Sequence, residues 1–203
     1  GGTVPLDRDT ACFATRRSRD GFNKDVQRRV AKRCGRSLHV AADFTSASDR
    51  SHALSDVAVG HIRRAVRSQS LLHLHLAGHW AEDSPKPLFM RAMLVANVDV
   101  ENMFANGTRG AVVRWSPDPE DADPSEHKSD YVTAMHPGLS VRFVHEHALN
   151  TGQSEWTYGI DYIDLEPKSE IVPQARGKPC MLQLQLQPCA ALTIHKVQAL
   201  TLY

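Results

Sequence analysis

Apolar residues along this chain fall in short clusters separated by polar turns, and their spacing changes along its length. Ala11 to Ala14 is a short apolar run of strand type that leads into a basic turn. Phe22, Val26 and Val30 follow at helical spacing, with Arg28, Arg29, Lys32 and Arg33 on the other side, which predicts an amphipathic helix capped by Asp20. Leu38 to Phe44 reads as a strand. His52 to Ser68 reads as a helix with Leu54, Val57, Val59, Ile62 and Val66 inward and Arg63, Arg64 and Arg67 outward. Leu71 to Leu76 alternates as a strand does. Met90 to Val95 and Gly110 to Val113 read as strands around Asn106-Gly107, a dipeptide that tolerates positive φ in a hairpin turn. Leu139 to Val144, Glu155 to Ile160 and Ile163 to Leu165 add further short strands. In Met181 to Leu186, Leu and Gln alternate, which predicts one buried and one wet face. The pattern predicts an α/β part built from residues near both ends of the sequence. Between them it predicts a small barrel or curled antiparallel sheet over roughly residues 88–186.

Composition narrows the class. With 203 residues, 41% hydrophobic and 23% charged, the chain can bury a core as one compact domain or two small ones. No apolar run reaches the length of a membrane span, and no signal peptide opens the sequence. The four cysteines, Cys12, Cys34, Cys180 and Cys189, form no C-x-x-C pair, which suits a reducing compartment and gives zinc little support. His73, His75 and His79 contain a bare H-x-H without carboxylate or cysteine nearby, which reads as an exposed strand face, so neither zinc nor a disulfide is expected. The net charge of +1 conceals an asymmetry. Residues 1–70 carry 14 Lys/Arg against 7 Asp/Glu, and residues 71–203 carry 10 against 16. A basic first third could face nucleic acid, although a basic helix face is often only solvated. Ser116 to Asp130, with three prolines and six acids against one lysine, reads as an exposed insertion that avoids DNA.

The densest chemistry lies at Thr193-Ile194-His195-Lys196-Val197-Gln198-Ala199-Leu200-Thr201-Leu202. Hydroxyls, an ammonium and an amide interleave here with apolar residues, and these are the groups that donate to phosphate oxygens. A turn held between an apolar core and an anionic ligand satisfies both sets. The plainer reading is an amphipathic helix over Ala190 to Leu200. The order resembles the T-I-H-K-S-Q-G-x-T-L motif of the PIF-type (petite integration frequency) DNA helicases and their RecD-like relatives. Thr193, His195, Lys196, Gln198 and Thr201 match it, while Val197 and Ala199 replace the usual Ser and Gly.

Two further blocks carry the resemblance. Thr15, Arg16, Asp20, Phe22 and Asn23 match a segment that opens the second motor domain of these helicases. Met93, Leu94, Asn97, Asp99, Asn106, Gly107, Arg109, Gly110 and Val112 match V-M-L-x-x-N-x-D-…-N-G-x-R-G-x-V. The resemblance implies part of a RecA-like second motor domain with an inserted SH3-like β-barrel. Residues 10–87 would hold the first part of that domain and a variable linker, residues 88–186 the barrel, and residues 187–203 the return with the T-I-H-K-x-Q motif. It implies that Thr193, His195, Lys196, Gln198 and Thr201, with Asn106 and Arg109, face single-stranded DNA, and that Arg16 contacts the nucleotide. ATP and Mg²⁺ would serve the full-length protein, which would move 5′ to 3′ in nucleus or mitochondrion, with roles in repair, recombination and telomere maintenance.

The sequence contains no G-x-x-x-x-G-K-[ST] loop, so this chain alone is not expected to bind or hydrolyse ATP. It begins with Gly1-Gly2 and stops just after its densest motif, from which a C-terminal fragment is expected, with a missing N-terminal motor domain as its partner. The alternatives are a non-enzymatic nucleic-acid-binding module on an SH3-like barrel, and a degenerate, inactive helicase copy. No membrane association is expected.

Overall fold

The computed structural model describes residues 11–31, 36–46, 54–66, 70–76, 91–117, 128–150, 155–173, 175 and 177–193. Strand β1 (Ala11–Phe13) runs into helix α1 (Arg16–Ala31). Thr15, and not Asp20, caps this helix. Its Oγ1 accepts a hydrogen bond from the Ser18 amide at 3.2 Å, satisfying one of the donors that a first turn leaves unpaired. Asp20 lies inside the helix, where its carboxylate takes Arg19 Nε at 2.8 Å. Val26 is buried, and Phe22 packs against Phe13 with ring centroids 5.4 Å apart. Arg28 and Arg29 face solvent as expected, while Lys32 and Arg33 lie outside the described residues.

The chain continues through β2 (Arg36–Ala41), β3 (Asp43–Thr45), α2 (Asp56–Val66), β4 (Leu71–His75), β5 (Ala92–Leu94) and β6 (Arg109–Ser116). It then forms β7 (Lys128–Thr133), β8 (Ser140–His145), α3 (Glu146–Asn150), β9 (Tyr162–Leu165), β10 (Lys168–Ile171), β11 (Cys180–Gln183), β12 (Leu186–Pro188) and β13 (Ala191–Thr193). The strands make a five-stranded sheet in the order β12-β5-β6-β8-β9, three-stranded sheets β4-β2-β7 and β10-β11-β3, and the pair β1-β13.

Two expectations change here. The sheets are open, and no closed barrel forms among the described residues. Strands from before residue 88 also enter these sheets: β2 pairs with β7 in parallel, and β3 pairs with β11. The acidic insertion likewise ends in structure, because Lys128 to Asp130 open β7. Residues 118–127 lie outside the described residues.

The main core forms between two sheets. Leu38, Val40, Leu72 and Leu74 meet Leu94, Val112, Phe143, Ile163 and Leu165, with Phe104 and Leu184 fully enclosed. Helix α2 covers the β10-β11-β3 sheet through Val59, Ile62 and Val66 against Phe44, Val172 and Met181. Val57 was expected inward but is 72% exposed. At 100° per residue it falls on the far side of the stripe that Val59, Ile62 and Val66 define. Helix α3 closes the other face of the large sheet through Ala148 and Leu149 against Ala111 and Val144. The β6–β8 register shifts between Val112 and Arg114, and this bulge lets Val112 and Trp115 both enter the main core.

Residues 155–160 do not form the expected strand. They make a turn in which the Thr157 carbonyl accepts hydrogen bonds from the amides of Ile160 and Asp161 at 3.2 and 2.8 Å. The alternation over Met181 to Leu186 also misleads. Gln183 and Gln185 are buried, and the chain breaks between β11 and β12 to change sheets. The Gln183 amide supplies what the interrupted ladder lacks. Its Nε2 donates to the Val40 carbonyl at 3.0 Å, and its Oε1 accepts from the Leu184 amide at 2.9 Å.

Replacing Gln183 by Leu removes both bonds and leaves buried backbone groups unpaired. It should destabilise the fold by about 2 kcal/mol, read as a lower urea midpoint at unchanged slope. An unchanged midpoint would show that the amide is not a structural tie.

His75 generates a second prediction. Its ring is 6% exposed, and Nδ1 has no hydrogen-bond partner. Burial, helped by His39 and His73, pushes its pKa down from 6.5 to about 4. The folded state therefore holds the ring neutral, and on acidification the unfolded chain takes the proton first. Stability is complete above pH 6.5 and is lost as the pH falls toward 4, by about 3 kcal/mol. Denaturation curves across that window should show the slope in the natural protein and a flatter one in His75→Leu. Parallel losses in both proteins would assign the slope to another group.

Candidate nucleic-acid and nucleotide interface

The stretches singled out near the two ends of the sequence are neighbours. β1 and β13 pair in parallel, with Ala11 beside Ala191, Cys12 beside Leu192 and Phe13 beside Thr193. The Ala11 amide donates to the Ala190 carbonyl at 3.2 Å, and Asn23 Nδ2 of α1 donates to the Pro188 carbonyl at 3.4 Å. Residues 191–193 are thus strand and not helix. Because the strands are parallel, the chain leaves both at the same edge. Thr15 and Arg16 follow β1 there. Thr193 ends β13 there, and His195, Lys196, Gln198 and Thr201 follow outside the described residues.

The carboxyl edge of parallel strands is where α/β folds place ligands. The first turn of α1, Arg16-Arg17-Ser18-Arg19, contains no acidic residue, and Arg16 is exposed. The positive end of the helix dipole is therefore reinforced and not neutralised, an environment that fits an anionic phosphate.

The second block forms a compact loop between β5 and β6. Its motif residues bond mostly to one another. Asn97 Oδ1 accepts from the Asn106 amide at 2.9 Å. The Asp99 carboxylate takes Asn102 Nδ2 at 2.8 Å, and Asp99 bridges Phe104. The Gly107 amide donates to the Leu94 carbonyl at 2.9 Å with φ at 104°, a conformation glycine enters without penalty. A Cβ on Gly110 would lie 2.0 Å from the Val144 carbonyl oxygen, so only glycine lets β6 and β8 approach this closely. The Asn106 side chain stands on the exposed side of the loop.

Arg109 is anchored. Glu146 at the start of α3 holds Arg109 Nε at 3.1 Å through Oε2 and Arg91 Nε at 2.6 Å through Oε1. Two guanidinium groups share this carboxylate, and the Arg109 side chain is 43% exposed. The Cys189 amide donates to the Arg91 carbonyl at 2.8 Å, which sets this cluster beside the chain entering β13. Burial pushes the Cys189 thiol up to about 12, with Arg109 and Glu146 both felt there, and makes it an unreactive core group. Burial and the neighbouring His147 hold His145 below its ordinary value.

The structure thus unites Arg16 with the start of the Thr193 motif, and places Arg109 near the other end of β13. Glu146 and Arg91, which position Arg109, carry no signal of that role in the sequence, because they reach it from separate elements. Among the described residues no group of His, Cys, Asp or Glu gathers to hold a metal, and no helix is long and apolar enough to cross a membrane. His79 lies outside the described residues.

No family model matches the chain. It is 30% identical over 137 residues to an ATP-dependent DNA helicase PIF7 of Trypanosoma brucei brucei, an alignment covering 62% of the chain and 13% of that relative. The fold is similar to the Pif1 helicase of Candida albicans, with a TM-score of 0.53 and 16% identity over 95% of this chain and 39% of that one. Unliganded Pif1 from Bacteroides sp aligns at a TM-score of 0.48 and 15% identity, over 96% of this chain and 44% of that one. The chain therefore spans well under half the length of these proteins. In sequence the chain is similar to a stretch of one PIF-type DNA helicase, and in fold to part of another.

Proposed function

We propose that this chain works as part of the second motor domain of an ATP-dependent DNA helicase that moves along single-stranded DNA and unwinds duplex. The observation that supports this best is the parallel β1–β13 pair, which sets Arg16 and the start of the Thr193 motif at one edge. On this reading Arg16 contacts a phosphate of ATP, and Thr193, His195, Lys196, Gln198 and Thr201 form a polar edge of the single-strand track. Asn106 and Arg109 extend that track from the β5–β6 loop. Another motor domain of the same polypeptide supplies the loop that cradles the phosphates, and the group that holds Mg²⁺.

Residues 11–31 and 187–203 belong to the motor side of this arrangement. Residues 88–186 are the counterpart of the family's SH3-like insert, with β2, β3 and β4 joined to its sheets. The family's roles in repair, recombination and telomere maintenance, and a nuclear or mitochondrial location, come with the reading.

Contacts from Lys196 would be to the DNA backbone, which makes them independent of sequence and sensitive to salt. In the complete polypeptide, Lys196→Ala should weaken single-strand binding by a similar factor on every sequence. It should also shallow the salt slope by about 0.7, the value for one lost phosphate contact on a single strand. The measurement is a salt titration of oligonucleotide binding. Unchanged affinity and slope would return this stretch to an ordinary solvated segment.

A further inference from the structure

The outer face of the β4-β2-β7 sheet has an unusual content. Leu38, Val40, Leu72 and Leu74 point into the core, so the alternate residues lie on the other face, which is covered at His75 and open at Tyr131. The strand registers arrange them in ranks. His73, His39 and Tyr131 lie side by side across the three strands, flanked by the rank His75, Ser37, Ser129 and by the rank Leu71, Ala41, Thr133. The rings of the first rank touch. His39 and Tyr131 stack with centroids 4.2 Å apart and planes at 13°, and His39 meets His73 edge to face at 4.4 Å. Ser37 and Ser129 hydroxyls bond at 2.9 Å beside them.

A row of cross-strand rings is usually a stabilising device, and such devices bury their surface. Tyr131 does the opposite. It stands on an edge strand, 72% exposed, with one face against His39. No negative charge on this face opposes an anion. None of the outward ranks contains an acidic residue, because Asp130 turns to the other side and pairs with Arg36 at 3.6 Å. Lys24 of α1 is felt by His73 at the far end of the row. The face also adjoins the candidate interface, since Gln27 Nε2 of α1 donates to the His73 carbonyl at 3.4 Å and the same helix begins at Arg16.

We infer that the Tyr131–His39–His73 row is a stacking platform for an unpaired nucleobase of single-stranded DNA, with Tyr131 receiving the base and Lys24 attracting the neighbouring phosphate. His39 braces the tyrosine from behind. Stacking on a ring tolerates any base, so the platform adds affinity without selecting sequence. The inference rests on the single-strand reading given above and assigns a contact surface beyond the motif residues.

The test separates the two. In the complete polypeptide, Tyr131→Ala should weaken binding to a thymidine oligonucleotide roughly tenfold while leaving the salt slope unchanged, since a stack releases no counterions. Tyr131→Phe should bind as the natural protein does, and on a strand with abasic sites Tyr131→Ala should have no effect. Normal thymidine binding by Tyr131→Ala would overturn the platform and leave the face to a protein partner. An equal loss in Tyr131→Phe, or an equal loss on abasic DNA, would overturn it too. If the platform fails while Lys196→Ala still weakens binding, the single-strand reading stands alone. If the natural polypeptide binds no single strand, both readings fall.

Discussion

The parallel pairing of β1 with β13 is the constraint on which the arrangement depends. Parallel neighbours cannot be joined by a tight turn, so the chain between them must travel and return. Here the return path holds every other described strand of the molecule. A long excursion costs closure entropy, although that cost grows only slowly with length. What offsets it is a set of ties where the excursion meets the β1–α1–β13 unit. Asn23 holds the Pro188 carbonyl, Gln27 holds the His73 carbonyl, and the Cys189 amide holds the Arg91 carbonyl. Each fixes one crossing point of the chain, so the strand pair inherits its geometry from the body of the protein.

Local patterns were legible where the interaction that formed them is local. The β1–α1 unit follows from an apolar run and a helical stripe, and the Gly107 turn from a dipeptide that admits positive φ. The Thr193 motif and Arg16 were readable as chemistry, and the strand pair unites their starting points. Elements decided by distant partners were not legible. Gln183 looked like a wet-face residue because alternation presumes one continuous strand, whereas the chain there changes sheets and uses the amide to bond Val40. The split of residues 38–44 into β2 and β3 has the same origin, since the two halves pair with different strands, β7 and β11. The single sheet closing on itself failed as an expectation because β2 and β4, read as parts of a linker, supply one wall of the main core.

Several residues within the matched blocks have roles inside the protein. Thr15 caps a helix, Asn23 ties α1 to β12, Asn97 and Asp99 fold a loop, and Gly110 admits a neighbouring strand. These roles are fulfilled inside the protein and require no ligand. Arg16 stands exposed on a backbone that Thr15 caps. Arg109 lies between these cases. Glu146 positions it, and its side chain is still 43% exposed.

That division bears on how the two ends of the site act together. A binding side chain on a loose loop must be ordered when ligand arrives, and the entropy lost then subtracts from affinity. The Glu146 carboxylate already orients the Arg109 side chain, whereas the capped first turn fixes only the backbone of Arg16. A rigid strand pair between them keeps their separation constant.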